Sequence, residues 1–106
     1  MLLLFDGHAS TREGYFGFEG IGSNVRRRWG DLVTVHVVVP MRAAPADLHW
    51  DGPVLLDTDG ALHRRYGAGA ECLYLVRPDG YVGFRSQPVD AGALVAHLDR
   101  IFATGA

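Results

Sequence analysis

Six side chains in the sequence have the chemistry for nucleophilic or metal-dependent catalysis, namely one cysteine and five histidines. Cys72 stands alone, so it can form neither an internal disulfide nor a Cys-x-x-Cys redox pair, and a thiolate-rich zinc site is excluded. It lies in an apolar stretch, where a cysteine usually packs as a small hydrophobic residue. The histidines are His8, His36, His49, His63 and His97. None of them form a His-x-x-x-His pair, and we expect no metal site and no catalytic residue.

Two further motifs have alternative interpretations. Gly20-Ile21-Gly22 resembles half of a dinucleotide fingerprint, in which glycines let the backbone approach a pyrophosphate. The third glycine is missing, so we interpret this motif as an ordinary loop and predict no cofactor-binding residue. Arg26-Arg27-Arg28 could grip a phosphate or an acidic surface, but such a run is more often a solvated helix face. His36, inside a valine-rich strand, is interpreted as a hydrogen-bonded core or interface residue.

Two groups of residues are candidates for a domain or dimer contact. The first group comprises Tyr15, Phe16 and Phe18, which lie among glycines and could form an exposed apolar contact. The alternative is that these rings fold back over the sheet. The second group comprises Arg77, Asp79 and Arg85 at a predicted hairpin, and the alternative for them is plain turn chemistry.

Length and composition limit the classes of protein that fit. The chain has 106 residues, 48% of them hydrophobic, which predicts a single domain with its own core over residues 1–106. The net charge of −2 and the absence of a basic tail argue against nucleic-acid binding and polybasic membrane binding. The apolar run Met1–Phe5 is too short for a signal peptide or a membrane span. We therefore predict a cytoplasmic protein.

The first half of the chain reads as two strands and one helix. Leu2–Phe5 is a short buried strand that ends at an Asp-Gly turn. The glycine-rich segment 8–20 predicts an ordered loop. Ser23-Asn24 can cap a short helix that ends at Trp29, before Gly30. Leu32–Val39 is rich in β-branched residues, which is typical of a central strand in a parallel sheet.

The second half predicts a helix, a hairpin and a terminal helix. The helix begins at Asp57 or Asp59 and ends at Tyr66, and Val54–Leu56 before it is a brief extended segment. Pro78-Asp79-Gly80 forms a turn between strands at 72–77 and 81–85. Asp90 caps the terminal helix, which runs to residue 103. This order is the topology of the thioredoxin fold, so we predict an α/β fold with a four-stranded mixed sheet flanked by helices and lacking Cys-x-x-Cys.

Two segments carry a resemblance to a known family. Segment 55–67, LLDTDGALHRRYG, and segment 73–85, LYLVRPDGYVGFR, resemble the C-terminal thioredoxin-like domain of FAD-dependent aromatic hydroxylases, the phenol-hydroxylase-like flavoprotein monooxygenases. That domain commonly has a helix ending in Arg-Tyr-Gly, followed by a strand and an Arg-Pro-Asp-Gly turn. The resemblance covers residues 54–103 well and the first half by topology alone.

The resemblance implies that this chain is a non-catalytic C-terminal fragment of a larger flavoprotein. FAD and NAD(P)H would act in the parent enzyme, which hydroxylates aromatic rings with O₂, and no cofactor would bind this chain. Its partners would be the flavin-binding and substrate domains, with a homodimer contact as a further option. Segment 8–29 has no cysteine where thiol enzymes of this fold keep theirs, and Ala70-Glu71 stands where they carry a cis-proline. Two alternatives stay open: a free-standing thiol enzyme of the peroxiredoxin or thioredoxin class that uses Cys72, or an independent interaction module.

Overall fold

The computed structural model describes residues 1–7 and 12–102, without the side chains of Arg12 and Glu13. The elements are β1 (Leu2–Phe5), α1 (Arg12–Trp29), β2 (Val35–Val39), β3 (Val54–Leu56), α2 (Ala61–Arg65), β4 (Cys72–Val76), β5 (Val82–Ser86) and α3 (Ala91–Ile101). Segment 8–11 of the predicted loop and residue 103 of the predicted terminal helix lie outside the described residues. Within the described part of the chain, no helix is long and apolar enough to cross a membrane.

The sheet has five strands in the order β3-β2-β1-β4-β5. Strand β1 pairs in parallel with β2 and antiparallel with β4. The α/β class and the mixed sheet are as predicted, but the strand number is not. Val54–Leu56 joins the sheet as β3, in parallel with β2, and the N–H groups of Val37 and Asp57 extend the ladder at its two ends. A three-residue strand carries little local signal, because its pairing with β2 decides its conformation.

Helices α1 and α3 cover one face of the sheet, and α2 covers part of the other. Leu2 and Leu4 of β1 belong to the first core, with Leu94 and Leu98 of α3. Leu3 and Phe5 belong to the second, smaller core. Successive strand residues point to opposite faces, so β1 is apolar throughout because both of its faces are covered.

Helix α1 corrects the prediction for the first half of the chain. The segment from Arg12 onward is helical, not a loop, and the proposed cap at Ser23-Asn24 lies inside the helix. The buried residues of α1 recur every three or four positions; they are Tyr15, Phe18, Ile21, Val25 and Trp29. This spacing is helical, and burying the large side chains on the sheet outweighs the low helix propensity of the glycines between them.

The boundaries in the second half agree more closely with the sequence. The carboxylate of Asp90 caps α3 by accepting a hydrogen bond from Ala93 N at 2.9 Å, and Gly80 has the positive φ of +90° expected in the hairpin turn. Helix α2 is shorter than predicted. It begins after Gly60, a residue that has no side chain with which to cap the helix. Likewise, β2 begins at Val35 rather than Leu32, which is 63% exposed.

Candidate interaction surface

An open, mostly apolar groove lies between the first half of α1 and the segment that follows β5. Its volume is about 510 Å³, and its walls include Phe16, Gly17 and Gly20 from one side and Pro88, Val89 and Ala91 from the other. Glu71 also lines the groove. A pocket of this size, lined mostly by apolar groups, is a typical place for a ligand or a partner side chain. We call it the α1 groove.

The glycines of α1 divide into two kinds. A Cβ at Gly14 would lie 1.5 Å from the Glu71 carboxylate, and one at Gly22 would lie 2.6 Å from the Trp50 ring. Close packing on the rigid Trp50 ring therefore accounts for Gly22, whereas the neighbour of Gly14 is the end of a flexible side chain. Among the described residues, a Cβ at Gly17 or Gly20 would meet no neighbouring atom within 4 Å. These two glycines border the α1 groove and keep it open.

The three aromatic candidates differ in whether they are exposed at the α1 groove. Tyr15 and Phe18 are buried in the core, and the Tyr15 hydroxyl donates a hydrogen bond to Asp6 Oδ2 at 3.0 Å. Phe16, by contrast, is 64% exposed and forms a wall of the groove. Folding back over the sheet thus holds for Tyr15 and Phe18, and of the three rings Phe16 is the one available to a partner.

The hairpin candidates lie away from the α1 groove and make local contacts. Arg77 forms an ion pair with Asp79 at 3.0 Å. Asp79 also accepts a hydrogen bond from Tyr81 N across the turn. The guanidinium of Arg85 lies over the Tyr74 ring, 5.5 Å from its centroid. All three side chains are exposed, and their role as a domain or dimer contact stays a prediction.

Cys72 is not accessible to a reactant. It begins β4, its side chain is fully buried in the second core, and it is a free thiol. Burial raises the pKa of this thiol to about 11, and the positive charge of Arg85 offsets only part of that rise. Because the thiolate is the reactive form of cysteine, thiol catalysis by Cys72 is excluded, as the packing interpretation predicts.

A buried polar cluster connects α2 to the end of β1, and it is not among the predicted sites. His63 Nδ1 lies 2.8 Å from Asp57 Oδ2, and Gly7 N donates a hydrogen bond to His63 Nε2 at 3.2 Å. Because Nε2 accepts, the ring proton is assigned to Nδ1. The same carboxylate accepts hydrogen bonds from the N–H groups of Leu62 and His63, so Asp57 caps α2 from outside the helix. The one sequence signal for this pair was the Asp-x-x-x-x-x-His spacing.

The cluster has a structural role, because both of its side chains are buried. Burial raises the pKa of Asp57, but the hydrogen bonds from the His63 ring and from the two N–H groups together lower it by more. The net pKa is therefore below the ordinary value. His63 is 1% exposed, so no substrate can reach its ring. A general-base role is therefore excluded.

The remaining polar candidates also lack an arrangement for chemistry. Arg26 and Arg28 form exposed ion pairs with Asp51 and Asp99, and Arg27 bonds to Asn24. This agrees with the solvated-face interpretation. His36 is half-buried, its Nδ1 has no hydrogen-bond partner among the described residues, and burial lowers its pKa, so the predicted hydrogen bond is not present. The described residues contain no cluster of three or more histidine, cysteine or acidic side chains that could hold a metal ion.

The half-fingerprint Gly20-Ile21-Gly22 lies inside α1 rather than in a loop. Backbone N–H groups in the middle of a helix bond to carbonyls of the preceding turn, so they cannot cradle a pyrophosphate. The predicted loop is wrong at this motif, because the segment is helical.

A comparison with known proteins identifies a distantly similar protein. The chain is similar to 6-methylpretetramide 4-monooxygenase of Streptomyces rimosus, with 30% identity over 86 residues. The match covers 81% of this chain and 14% of the monooxygenase, so the chain spans only a small part of the length of that relative. No family model matches the chain, and no solved structure matches it. The chain is therefore distantly related to part of an oxidoreductase of the monooxygenase class.

Proposed function

We propose that this chain is a non-catalytic, thioredoxin-like domain of an FAD-dependent aromatic-ring monooxygenase, positioned at the C-terminal end of that enzyme. The similarity to a segment of 6-methylpretetramide 4-monooxygenase carries the proposal. The sheet supports the fold assignment, because three parallel strands (β1, β2 and β3) are followed by an antiparallel hairpin and a terminal helix. In this proposal the relative's hydroxylation chemistry belongs to the rest of the enzyme.

The described residues support a division of labour between this domain and the remainder of the enzyme. Gly20-Ile21-Gly22, the motif that resembles half of a dinucleotide fingerprint, is inside helix α1 and so offers no free backbone N–H groups to a pyrophosphate. FAD and NAD(P)H would bind the flavin and substrate domains, where the flavin supplies the oxygen chemistry. This domain would contribute packing surface to those domains or to a dimer.

The first experiment is to determine the coding sequence immediately upstream of the Met1 codon. A reading frame that continues into a glycine-rich flavin-binding segment is the expected result. A stop codon directly upstream would contradict the proposal and leave the independent interaction module, which the exposed Phe16 at the α1 groove favours.

A chimera tests the role itself. The matching 86-residue segment of 6-methylpretetramide 4-monooxygenase is replaced by this chain, and FAD content, oligomeric state and hydroxylation are measured. We expect the chimera to keep bound FAD and activity, and a version carrying Leu98→Asp, which breaks the core, to lose both. If an unrelated domain of similar size restored activity equally well, the segment would be a mere spacer and the proposal would fail.

A further inference from the structure

We propose that Asp51 is a site of spontaneous covalent modification, at which the peptide link from Asp51 to Gly52 rearranges to an isoaspartyl link. The inference goes beyond the proposed function and does not depend on it. Glycine has no Cβ, so its backbone nitrogen is the least hindered for attack on the side chain of a preceding aspartate. The sequence contains four Asp-Gly pairs, at residues 6–7, 51–52, 59–60 and 79–80.

The rearrangement needs only water and the groups of the pair itself. The nitrogen of Gly52 attacks Cγ of the neutral Asp51 carboxyl group, the N–H hydrogen and the carboxyl hydroxyl group leave as water, and a five-membered succinimide ring closes. One water molecule then opens the ring at either carbonyl carbon. Cleavage of the bond to the main-chain carbonyl carbon leaves the chain running through Cγ, which is isoaspartate, whereas cleavage at Cγ restores aspartate. The product has the mass of the starting chain, and no group is oxidised or reduced.

The glycine nitrogen distinguishes the 51–52 pair from the other three pairs. In those three, the glycine N–H donates a hydrogen bond, and the acceptors for Gly7, Gly60 and Gly80 are His63 Nε2 at 3.2 Å, the Asp57 carbonyl at 2.8 Å and the Arg77 carbonyl at 2.9 Å. Within the part of the chain that the structure describes, the N–H of Gly52 donates no hydrogen bond. A bonded nitrogen must first leave its acceptor before it can attack. The fold therefore protects three of the pairs and leaves the fourth available.

The Asp51 carboxylate is open to water and is held by one exposed ion pair. Its side chain is 86% exposed, and the Arg26 guanidinium lies 2.7 Å from its Oδ1. The hydrogen bond and the positive charge of Arg26 lower the pKa of this carboxyl group. Because the neutral acid is the form that loses water, Arg26 slows the ring closure. Arg26→Ala should therefore raise the rate by up to about fivefold, the factor that corresponds to the strongest exposed ion pairs.

The isoaspartyl link also changes the packing of Trp50. A Cβ at Gly22 would lie 2.6 Å from the Trp50 ring and one at Gly52 would lie 2.5 Å from it, so the ring fills the space between two glycine backbones. The rearranged link adds the Cβ of Asp51 to the main chain and leaves an acidic group that is one carbon shorter. It therefore displaces the backbone of Gly52 from the ring and withdraws the carboxylate from Arg26.

Ageing of the purified 106-residue chain tests the proposal. Folded and urea-unfolded samples are incubated at physiological pH and temperature until isoaspartate is measurable in urea, and electron-transfer mass spectrometry then locates isoaspartate by its fragment ions. In the folded chain we expect isoaspartate at residue 51 to form at least about fivefold faster than at residue 59 or 79, the factor that the net stability of one hydrogen bond gives. In urea the four pairs lose their hydrogen bonds and should react at similar rates.

A matched variant tests the effect on Trp50. Asp51→Glu keeps the negative charge opposite Arg26 but cannot close the five-membered ring. We expect the tryptophan fluorescence of the wild type to shift to longer wavelength as isoaspartate accumulates, because Trp50 becomes more exposed to water. The fluorescence of Asp51→Glu should not change over the same time.

Three results would overturn the inference. One is an equal rate at residues 51, 59 and 79 in the folded chain, because the unbonded nitrogen would then confer no reactivity. Another is the same excess at residue 51 in urea, since the flanking sequence rather than the fold would be its cause. The last is a folded chain without isoaspartate at residue 51, because the fold would then protect this pair as well. Circular dichroism before and after ageing verifies that the chain is folded, and none of these outcomes bears on the monooxygenase relationship.

Discussion

The same substitution at two positions of α1 should change the stability of the protein in opposite directions. Gly17→Ala adds a Cβ that no neighbouring atom in the described part of the chain approaches within 4 Å, whereas Gly22→Ala places one 2.6 Å from the buried Trp50 ring. Alanine is more favourable than glycine in a helix interior by about 0.8–1.0 kcal/mol. We therefore expect Gly17→Ala to raise the free energy of unfolding by about 1 kcal/mol.

At Gly22 the same propensity gain is opposed by overpacking. Extra atoms in a well-packed core typically cost about 1–3 kcal/mol, and Trp50 is held by a hydrogen bond from its Nε1 to the Pro53 carbonyl at 3.1 Å. The net expectation for Gly22→Ala is a loss of up to about 2 kcal/mol. The free energy of unfolding is thus expected to be higher than that of the wild type for Gly17→Ala and lower for Gly22→Ala.

Urea denaturation followed by circular dichroism measures both effects. With a slope of about 1–3 kcal/mol per molar urea, Gly17→Ala should raise the midpoint by about 0.3–1 M. A Gly17→Ala variant that is less stable than the wild type would refute the helical assignment of this segment. Equal shifts for the two variants would refute the contact between Gly22 and Trp50.

Three further predictions concern the polar groups. Cys72 should resist thiol-specific labelling at pH 8 until urea unfolds the chain, because its pKa is raised to about 11; labelling of the folded chain at the rate of free cysteine would contradict its burial. Asp57→Asn should lower the free energy of unfolding at pH 7 by about 1.5–3 kcal/mol. Because the folded-state pKa of Asp57 is lowered, this contribution is complete above its ordinary pKa of 3.8 and should disappear as the pH falls through the lower folded value, as pH-dependent unfolding of both proteins would show. Arg28→Ala removes an exposed ion pair to Asp99 and a cation–π contact with the Trp29 ring, and it should cost about 1 kcal/mol, of which 1 M salt removes only the ion-pair part. Arg27→Ala, whose guanidinium bonds to Asn24, is the control.

Local chemistry was sufficient to predict several elements. The Asp90 cap and the Gly80 turn depend on hydrogen bonds and φ values within a few residues, and both are where the sequence indicates. The valine-rich β2 is likewise recognisable, because a continuous β-branched run suits a strand covered on both faces. The lone, buried cysteine follows from composition and its apolar neighbours.

The first half of α1 and the strand β3 required the tertiary structure. Four glycines between residues 12 and 22 lower helix propensity, so local preference favours a loop. Burial of Tyr15 and Phe18 against the sheet reverses that preference, and this contribution exists only once the sheet has formed. The predicted aromatic contact also depended on the tertiary structure. The helix points Tyr15 and Phe18 toward the core and leaves Phe16 exposed.

The amino-acid sequence by itself determined that the chain cannot form an internal cysteine redox pair, because it contains a single cysteine. It also determined the hairpin and the terminal helix, since these depend on interactions between near neighbours in the chain. The tertiary structure decided that Asp57, His63 and Gly7 form one buried cluster and that Phe16, Gly17 and Gly20 border one open groove. These arrangements depend on contacts between distant segments, and packing on the sheet is what brings those segments together.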